Sequence, residues 1–152
     1  MKKIIIGLDM DIIPGRSIGG ISLGDNDKDI IECINNKYVI EKYSFNNQLG
    51  SYALYKIHNG AISFTSDEQG VIIALWCEPP YKGSYKKKLY PGITALELKK
   101  ISKTQEIIKG YLVIDKNFFI YYGMPDNIDD FNSFSDIDDK TIFNELYVGN
   151  LI

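Results

Sequence analysis

Four short segments rich in β-branched and aromatic residues follow one another between residues 38 and 76, separated by turn residues. Asn59-Gly60 lies within the third segment. It is the strongest short-range hairpin signal, because both central residues of a type I′ turn need positive φ. We therefore predict a β-meander across residues 38–76, and no other feature constrains the fold as strongly. The segments are KYVIEKYSF, SYALYKI, KIHNGAISF and VIIALW.

A short amphipathic helix is predicted before the meander, over residues 27–35. Asn26 is a favourable N-cap residue with Asp29 at position N3, and Asp27 lies near the positive end of the helix dipole. Ile30 and Ile34 recur at helical spacing on one apolar stripe. The helix therefore has one side to bury.

The second half of the chain has the same order of signals. Thr94 and Glu97 have the spacing of a capping box, which predicts a second helix. The segment GYLVIDKNFFIYYGM that follows is predicted as a hairpin turning at residues 115–117. Gly24 and Gly92 align when the two helix starts are superposed, which favours an internal repeat.

These elements predict a single α+β domain over residues 1–152: an antiparallel β-meander sheet with short helices packed on one face. The two repeats would cover residues 13–76 and 89–125. Cys33 and Cys77 stand in apolar stretches and are interpreted as core residues, since two cysteines do not make a disulfide framework.

The glycine-rich stretch at residues 11–34 invites a test for phosphate binding. Gly15 and Gly20 have the outer spacing of a phosphate-binding loop, but Ile21 stands where that loop has its lysine, and no G-x-G-x-x-G is present. We interpret these glycines as residues that allow turns and close contact between strands. No cofactor is predicted.

The apolar run that ends in Asp9 and Asp11 resembles the nucleophile strand of haloacid-dehalogenase-type phosphatases. That resemblance implies that Asp9 attacks phosphorus and that Asp11 acts as acid and base. Ile13 stands where the family has Thr or Val, and the predicted meander departs from its alternating strands and helices. A small phosphatase-like enzyme is therefore an alternative, and the main interpretation assigns no catalytic residue.

A metal site is not predicted either. The one histidine, His58, stands beside a hairpin turn, and neither cysteine has ligand spacing with it.

Charge is unevenly distributed along the chain. Residues 1–125 hold 16 Lys and Arg against 13 Asp and Glu, whereas residues 126–152 hold 7 acidic residues against Lys140 alone. Such an acidic C-terminal segment repels nucleic acid and attracts basic partners. Its aspartates are the first choice for a partner-binding surface: Asp126, Asp129, Asp130, Asp136, Asp138 and Asp139.

Trp76, Tyr81 and Tyr85 are the second choice for that surface, because Trp and Tyr are enriched at protein interfaces. Tyr81 and Tyr85 belong to a lysine-rich loop, residues 77–92, that we expect to hold no packed element. Alternating basic and aromatic residues also occur in proteins that bind single-stranded nucleic acid. One short loop in an acidic protein does not justify that assignment, and no nucleic-acid partner is predicted.

The N-terminal apolar run is only five residues long, Ile4 to Leu8, before Asp9 ends it. A signal peptide needs a hydrophobic region of roughly 7–15 residues, and no segment has the length of a membrane span. We expect a cytoplasmic protein without membrane contact.

The stretch IPGRSIGGISLGDNDKDIIECI is similar to the openings of small bacterial proteins with a helix-plus-meander unit, as in the β-lactamase-inhibitor-protein-like fold. It also resembles immunity proteins encoded beside polymorphic or contact-dependent growth inhibition toxins. The resemblance covers residues 13–34 and 89–125 and brings no catalytic residue. It implies inhibition by binding.

The expected function is therefore that of a cytosolic immunity protein, which binds and neutralises a cognate toxin by blocking its active site or substrate surface. A nuclease is the expected toxin, because an acidic surface with aromatic anchors imitates the phosphate charge that a basic cleft accepts. Two alternatives stay open: the phosphatase-like enzyme, and a non-catalytic structural or assembly module.

Overall fold

The computed structural model describes residues 4–125 and 134–152. Within them lie two α-helices, α1 (Asp27–Ile34) and α2 (Ala95–Ile101), and a 3-10 turn at Phe134–Asp136. The strands are β1 (Ser17–Ile18), β2 (Ile21–Ser22), β3 (Ile40–Asn47), β4 (Gly50–Ile57), β5 (Ile62–Ser66), β6 (Ile72–Cys77), β7 (Ile93–Thr94), β8 (Gln105–Ile108), β9 (Tyr111–Ile114), β10 (Ile120–Gly123), β11 (Ile142–Phe143) and β12 (Leu146–Val148).

Eight strands form one antiparallel sheet in the order β3-β4-β5-β6-β12-β10-β9-β8. The first four are the meander predicted for residues 38–76. Asn59 and Gly60 have positive φ between β4 and β5 (58° and 86°). The Ala61 N–H donates to the His58 carbonyl (3.1 Å) and closes the predicted type I′ turn. The α+β class is confirmed.

The C-terminal strand β12 lies in the middle of this sheet. Leu146 pairs with Cys77 of β6 on one side and with Tyr122 of β10 on the other. The sequence predicts only that the acidic segment packs partly back on the domain. In the structure, the last part of this segment forms β12, which pairs with β6 and β10 and so joins the two halves of the sheet.

Both helices begin where the sequence predicts. Asn26 and Thr94 each accept, on their side chains, a hydrogen bond from a backbone N–H of the first turn (2.9 and 3.2 Å). Gly24 and Gly92, two residues ahead of these caps, have φ of 90° and 93°. The shared geometry is in keeping with two repeats, which remain a prediction.

The glycine-rich stretch folds as a tight hairpin beneath the N-terminal segment. A Cβ at Gly20 would lie 1.9 Å from the carbonyl oxygen of Ile5, and the Gly7 N–H donates to the Gly19 carbonyl (3.0 Å). The predicted role of these glycines in turns is confirmed by their positive φ values, whereas the close contact that they allow is with the irregular N-terminal segment and not between strands.

The segment before that hairpin differs from expectation. Residues 4–13 are predicted as a strand or extended segment, but they form no regular strand, and only an isolated bridge joins Ile13 to Ser17. Their backbone partners are the glycine hairpin and the loop at residues 77–92, as in the bond from Lys82 N–H to the Leu8 carbonyl (2.7 Å).

The two faces of the sheet differ, because successive side chains of a strand point to opposite sides. One face packs against both helices and forms the core. Ile30 and Ile34 of α1 and Leu98 of α2 are fully buried there. Each side chain of this size contributes about 1.5–3 kcal/mol when buried. The sheet residues of this core include Tyr55, Ile57, Ile62, Phe64, Leu75, Cys77, Leu112, Ile114, Ile120, Tyr122, Leu146 and Val148.

Candidate partner-binding face

The face of the sheet that points away from the helices carries a row of aromatic side chains. The strand registers form two groups: Phe45 lies opposite Tyr52 on β3 and β4, and Trp76, Tyr147 and Tyr121 lie side by side on β6, β12 and β10. Tyr111 on β9 lies opposite Gly123. We call this surface the open face. Its aromatic residues are Tyr43, Phe45, Tyr52, Trp76, Tyr111, Tyr121 and Tyr147, and its charged residues are Glu41, Lys56, Glu78, Glu106 and Glu145.

Four of these aromatic side chains contact one another across β6, β12, β10 and β9. Tyr147 stacks on Trp76 (5.3 Å between ring centroids) and on Tyr121 (5.9 Å). Tyr111 meets Tyr121 edge-on at 4.9 Å. Such pairs contribute about 0.5–1.5 kcal/mol beyond the area they bury. All four rings stay partly exposed, so this aromatic cluster presents pre-positioned ring surface to solvent.

Two glycines make room for the aromatic cluster. A Cβ at Gly149 would lie 2.4 Å from the Tyr121 hydroxyl. A Cβ at Gly123 would lie 3.1 Å from Cε1 of Tyr147 and 2.7 Å from Oε1 of Glu145. The rings and the carboxylate therefore occupy the space that larger residues at these two positions would fill.

Glu78 and Glu145 lie beside the aromatic cluster. The Tyr147 O–H donates to Oε1 of Glu145 (2.9 Å). Both carboxylates line a cavity of about 540 Å³, together with Gly123, Met124, Pro125, Lys140, Thr141, Ile142 and Asn144. This cavity opens at the edge of the open face where β10 ends and β12 begins.

The two carboxylates affect each other electrostatically. Burial raises the pKa of Glu78, and the negative charge of Glu145 raises it further, whereas Lys56 and hydrogen bonding by the Trp76 side chain lower it. Burial, followed by the charge of Glu145, also raises the pKa of Tyr147. The phenol of Tyr147 therefore stays neutral and donates at physiological pH.

The open face is acidic. It holds Glu41, Glu78, Glu106 and Glu145 against Lys56, and neither Glu78 nor Glu145 has an ion-pair partner in the part of the chain that the structure describes. An electronegative surface attracts positively charged partners and rejects negatively charged ones. The described residues thus combine interface-type aromatic rings with negative charge on one face.

Of the three aromatic residues chosen from the sequence, Trp76 alone belongs to the open face. Tyr81 was wrongly placed on the surface: it is 4% exposed and donates its O–H to the Met10 carbonyl (2.5 Å). The loop at residues 77–92 packs against the N-terminal segment, contrary to expectation, and this packing buries Tyr81. Tyr85 stays partly exposed but packs against the core on the helix side.

The acidic residues chosen from the sequence lie elsewhere. Asp126, Asp129 and Asp130 fall outside the described residues. Asp136, Asp138 and Asp139 are exposed beside α2, on the helix side of the sheet. Asp139 pairs with Lys99 (2.5 Å), and Asp138 accepts from the Lys140 N–H (2.8 Å). Binding of a partner by this segment remains a prediction.

The alternative enzyme finds little geometric support. Asp9 and Asp11 are exposed in the irregular N-terminal segment and do not follow a buried strand. His58 lies in its turn, edge-on to Tyr38 at 5.6 Å. Over residues 4–125 and 134–152, no three His, Cys, Asp or Glu side chains are grouped so as to hold a metal ion. No helix in the same ranges is long and apolar enough to cross a membrane.

Sequence reasoning missed most of the open face. Tyr111, Tyr121 and Tyr147 come from strands that meet only in the folded sheet, and Glu78 and Glu145 stand just beyond strand ends. One signal was available: in IYYG the neighbours Tyr121 and Tyr122 must point to opposite faces, so one of them has to leave the core. That signal does not say which one.

No protein-family model, curated protein or solved structure matches this chain. The functional argument therefore depends on the geometry of the open face.

Proposed function

We propose that this chain is a cytosolic immunity protein that binds a cognate bacterial toxin with its open face and blocks the active site or substrate surface of that toxin. The aromatic cluster is the observation that carries the proposal. Tyr and Trp dominate the binding energy of protein interfaces, above all where rigid rings fit a partner at the centre of the contact. Mutual stacking holds these four rings in place before a partner arrives, which lowers the entropy cost of association.

The size of the open face supports a protein partner. Eight strands lie side by side, so at about 4.8 Å per strand the sheet is roughly 34 Å wide. A width of this order with strands of about 17 Å gives roughly 580 Å², which approaches the ~800 Å² that each partner buries in a standard interface. A small molecule would use only part of this surface.

Electrostatics supports a basic partner such as a nuclease toxin. The open face is acidic, and residues 126–152 hold 7 acidic residues, including Glu145 of the open face, against Lys140 alone. We assign these two surfaces different roles. The open face makes the contact, while the acidic segment attracts the basic toxin over longer distances and speeds association.

Co-expression with the toxin encoded by the neighbouring gene tests the proposal. The wild-type chain is expected to rescue growth and to co-purify with the toxin. The double variant Trp76→Ala/Tyr121→Ala is expected to lose both properties while keeping its circular dichroism spectrum. Leu96→Ala is the matched control, since Leu96 is an exposed apolar residue (41%) on α2, on the other side of the sheet.

Rescue by the double variant equal to that by wild type would contradict the use of the open face. Absence of any rescue by the wild-type chain would contradict the immunity function itself and favour a structural or assembly module.

A further inference from the structure

The cavity beside the aromatic cluster has the chemistry of a side-chain subsite. We propose that it receives an arginine side chain of the partner, whose guanidinium pairs with Glu78 and Glu145 and lies against the aromatic cluster. This inference rests on the proposed function, because the arginine belongs to the protein that the open face binds.

The shape and composition of the cavity favour arginine. Its volume is about 540 Å³, and its walls combine the two carboxylates with the apolar side chains of Met124 and Ile142. The stem of an arginine is apolar and its head is charged, so both parts find a complement. A guanidinium also stacks on aromatic rings and pairs with two carboxylate oxygens at once, which an ammonium does not do.

The carboxylates are poised for a cation. Neither forms an ion pair among the described residues, although they repel each other and are partly buried. The charge of Lys56 acts on Glu78 without such an ion pair and lowers its pKa, but burial and the charge of Glu145 act more strongly in the opposite direction. Lys140 is exposed and also lines the cavity, but it forms no ion pair with either carboxylate. A guanidinium between Glu78 and Glu145 would relieve their repulsion and compensate the burial of both.

The unique tryptophan provides a direct test, because the chain has one indole N–H signal in a ¹⁵N-edited NMR spectrum. The probe is N-acetyl-arginine amide, with its neutral isostere N-acetyl-citrulline amide as the control ligand. We expect the arginine probe to shift the Trp76 indole signal saturably and the citrulline probe to bind at least tenfold more weakly. Equal shifts with both probes, or no saturable shift with arginine, would overturn the subsite.

Variants assign the binding to the two carboxylates. Glu78→Gln/Glu145→Gln is expected to weaken binding of the arginine probe at least tenfold. Glu32→Gln removes one charge from the exposed side of α1 and is expected to leave the affinity within twofold of wild type. An equal loss in both variants would mean general attraction by an acidic protein and would overturn the subsite.

Gly123→Ala tests the geometry with the charges retained. Its Cβ would lie 2.7 Å from Oε1 of Glu145, so we expect the carboxylate to shift and the arginine probe to bind several-fold more weakly. A thermal melt confirms that the variant is folded, and an unchanged affinity would count against the cavity as the site.

The toxin assay separates the two proposals. If the arginine probe fails while Trp76→Ala/Tyr121→Ala still abolishes rescue, the subsite is overturned and the immunity function stands. If the arginine probe binds selectively while the wild-type chain rescues no cells, the immunity function is overturned and the subsite chemistry stands.

Discussion

Single glycines decide how closely the N-terminal segment packs on the hairpin formed by β1 and β2. Gly20 and Gly24 both have φ of 90°, so a side chain at either position is strained. They differ in surroundings: a Cβ at Gly20 would meet the Ile5 carbonyl at 1.9 Å, whereas a Cβ at Gly24 would meet no atom within 4 Å.

This pair separates backbone strain from steric contact. We expect Gly24→Ala to lower the free energy of unfolding by about 1 kcal/mol, which is the cost of the strained φ. Gly20→Ala is expected to cost at least about 1 kcal/mol more, because residues 4–6 must move away as well. Urea denaturation of the two variants measures the difference, and equal losses would contradict the close packing.

Glu78 gives the stability of the fold a specific pH dependence. Its pKa is raised above the ordinary value of 4.5 in the folded chain, so the folded state binds the proton more tightly than the unfolded state does. The stability that this carboxyl contributes is therefore present below pH 4.5 and is lost as the pH rises through the folded pKa.

Substitution of Glu78 is expected to expose this dependence. Relative to wild type, Glu78→Gln becomes more stable as the pH increases from 4 to 8, because only wild type loses the proton. Denaturation curves at several pH values, with Glu32→Gln as the charge control, measure the trend. A difference that does not change with pH, or that changes in the opposite direction, would contradict the account.

At the scale of elements, local signals predict helix starts and turns well. The capping and turn residues act through backbone groups within three residues of themselves, as Asn26, Thr94 and Asn59-Gly60 do. A short stretch of sequence is therefore enough to predict their roles. The position of β12 is different. The three residues Leu146–Val148 have no sequence pattern that predicts their position between β6 and β10. That position depends on pairing with strands that are far away in the sequence.

Dependence on distant pairing also explains why the sequence predicted little of the candidate site. Trp76 was identified by residue type alone, but Tyr111, Tyr121 and Tyr147 become a cluster only when β9, β10 and β12 pair. Tyr81 was misplaced because it belongs to a lysine-rich loop in the sequence, while its neighbours in space are Met10 and Gly19. The burial of Tyr81 depends on contacts between segments that are distant in sequence, and a single sequence does not predict such contacts.

The central place of β12 makes a prediction about Leu146. Its side chain is fully buried between two neighbouring strands, so Leu146→Ala is expected to cost about 2–5 kcal/mol of unfolding free energy. Ile152→Ala, at a position that is 70% exposed, is expected to change it by less than about 0.5 kcal/mol. A small loss at Leu146 in urea denaturation would mean that the C-terminal strand is peripheral.

At the scale of the whole molecule, the exposed aspartates and the proposed contact with the partner lie on two different surfaces. The aromatic cluster lies on the open face, while the exposed Asp136, Asp138 and Asp139 lie on the helix side. Charges away from the contact act mainly on the rate of encounter, whereas buried contacts act mainly on the rate of dissociation.

The triple variant Asp136→Asn/Asp138→Asn/Asp139→Asn tests this division. We expect a lower association rate constant for the toxin at low salt, a smaller dependence of that rate on salt, and a dissociation rate within about twofold of wild type. Stopped-flow measurements at several salt concentrations resolve these effects. A faster dissociation with unchanged association would instead place the aspartates inside the interface.

The central claim, that the open face holds the partner, is tested most directly by the affinity of Trp76→Ala for the cognate toxin. Isothermal titration calorimetry is expected to show a dissociation constant at least about 30-fold higher than that of wild type, since loss of a central anchor costs about 2 kcal/mol or more. Leu96→Ala should bind like wild type. A Trp76→Ala variant that is folded and binds the toxin with wild-type affinity would contradict the account.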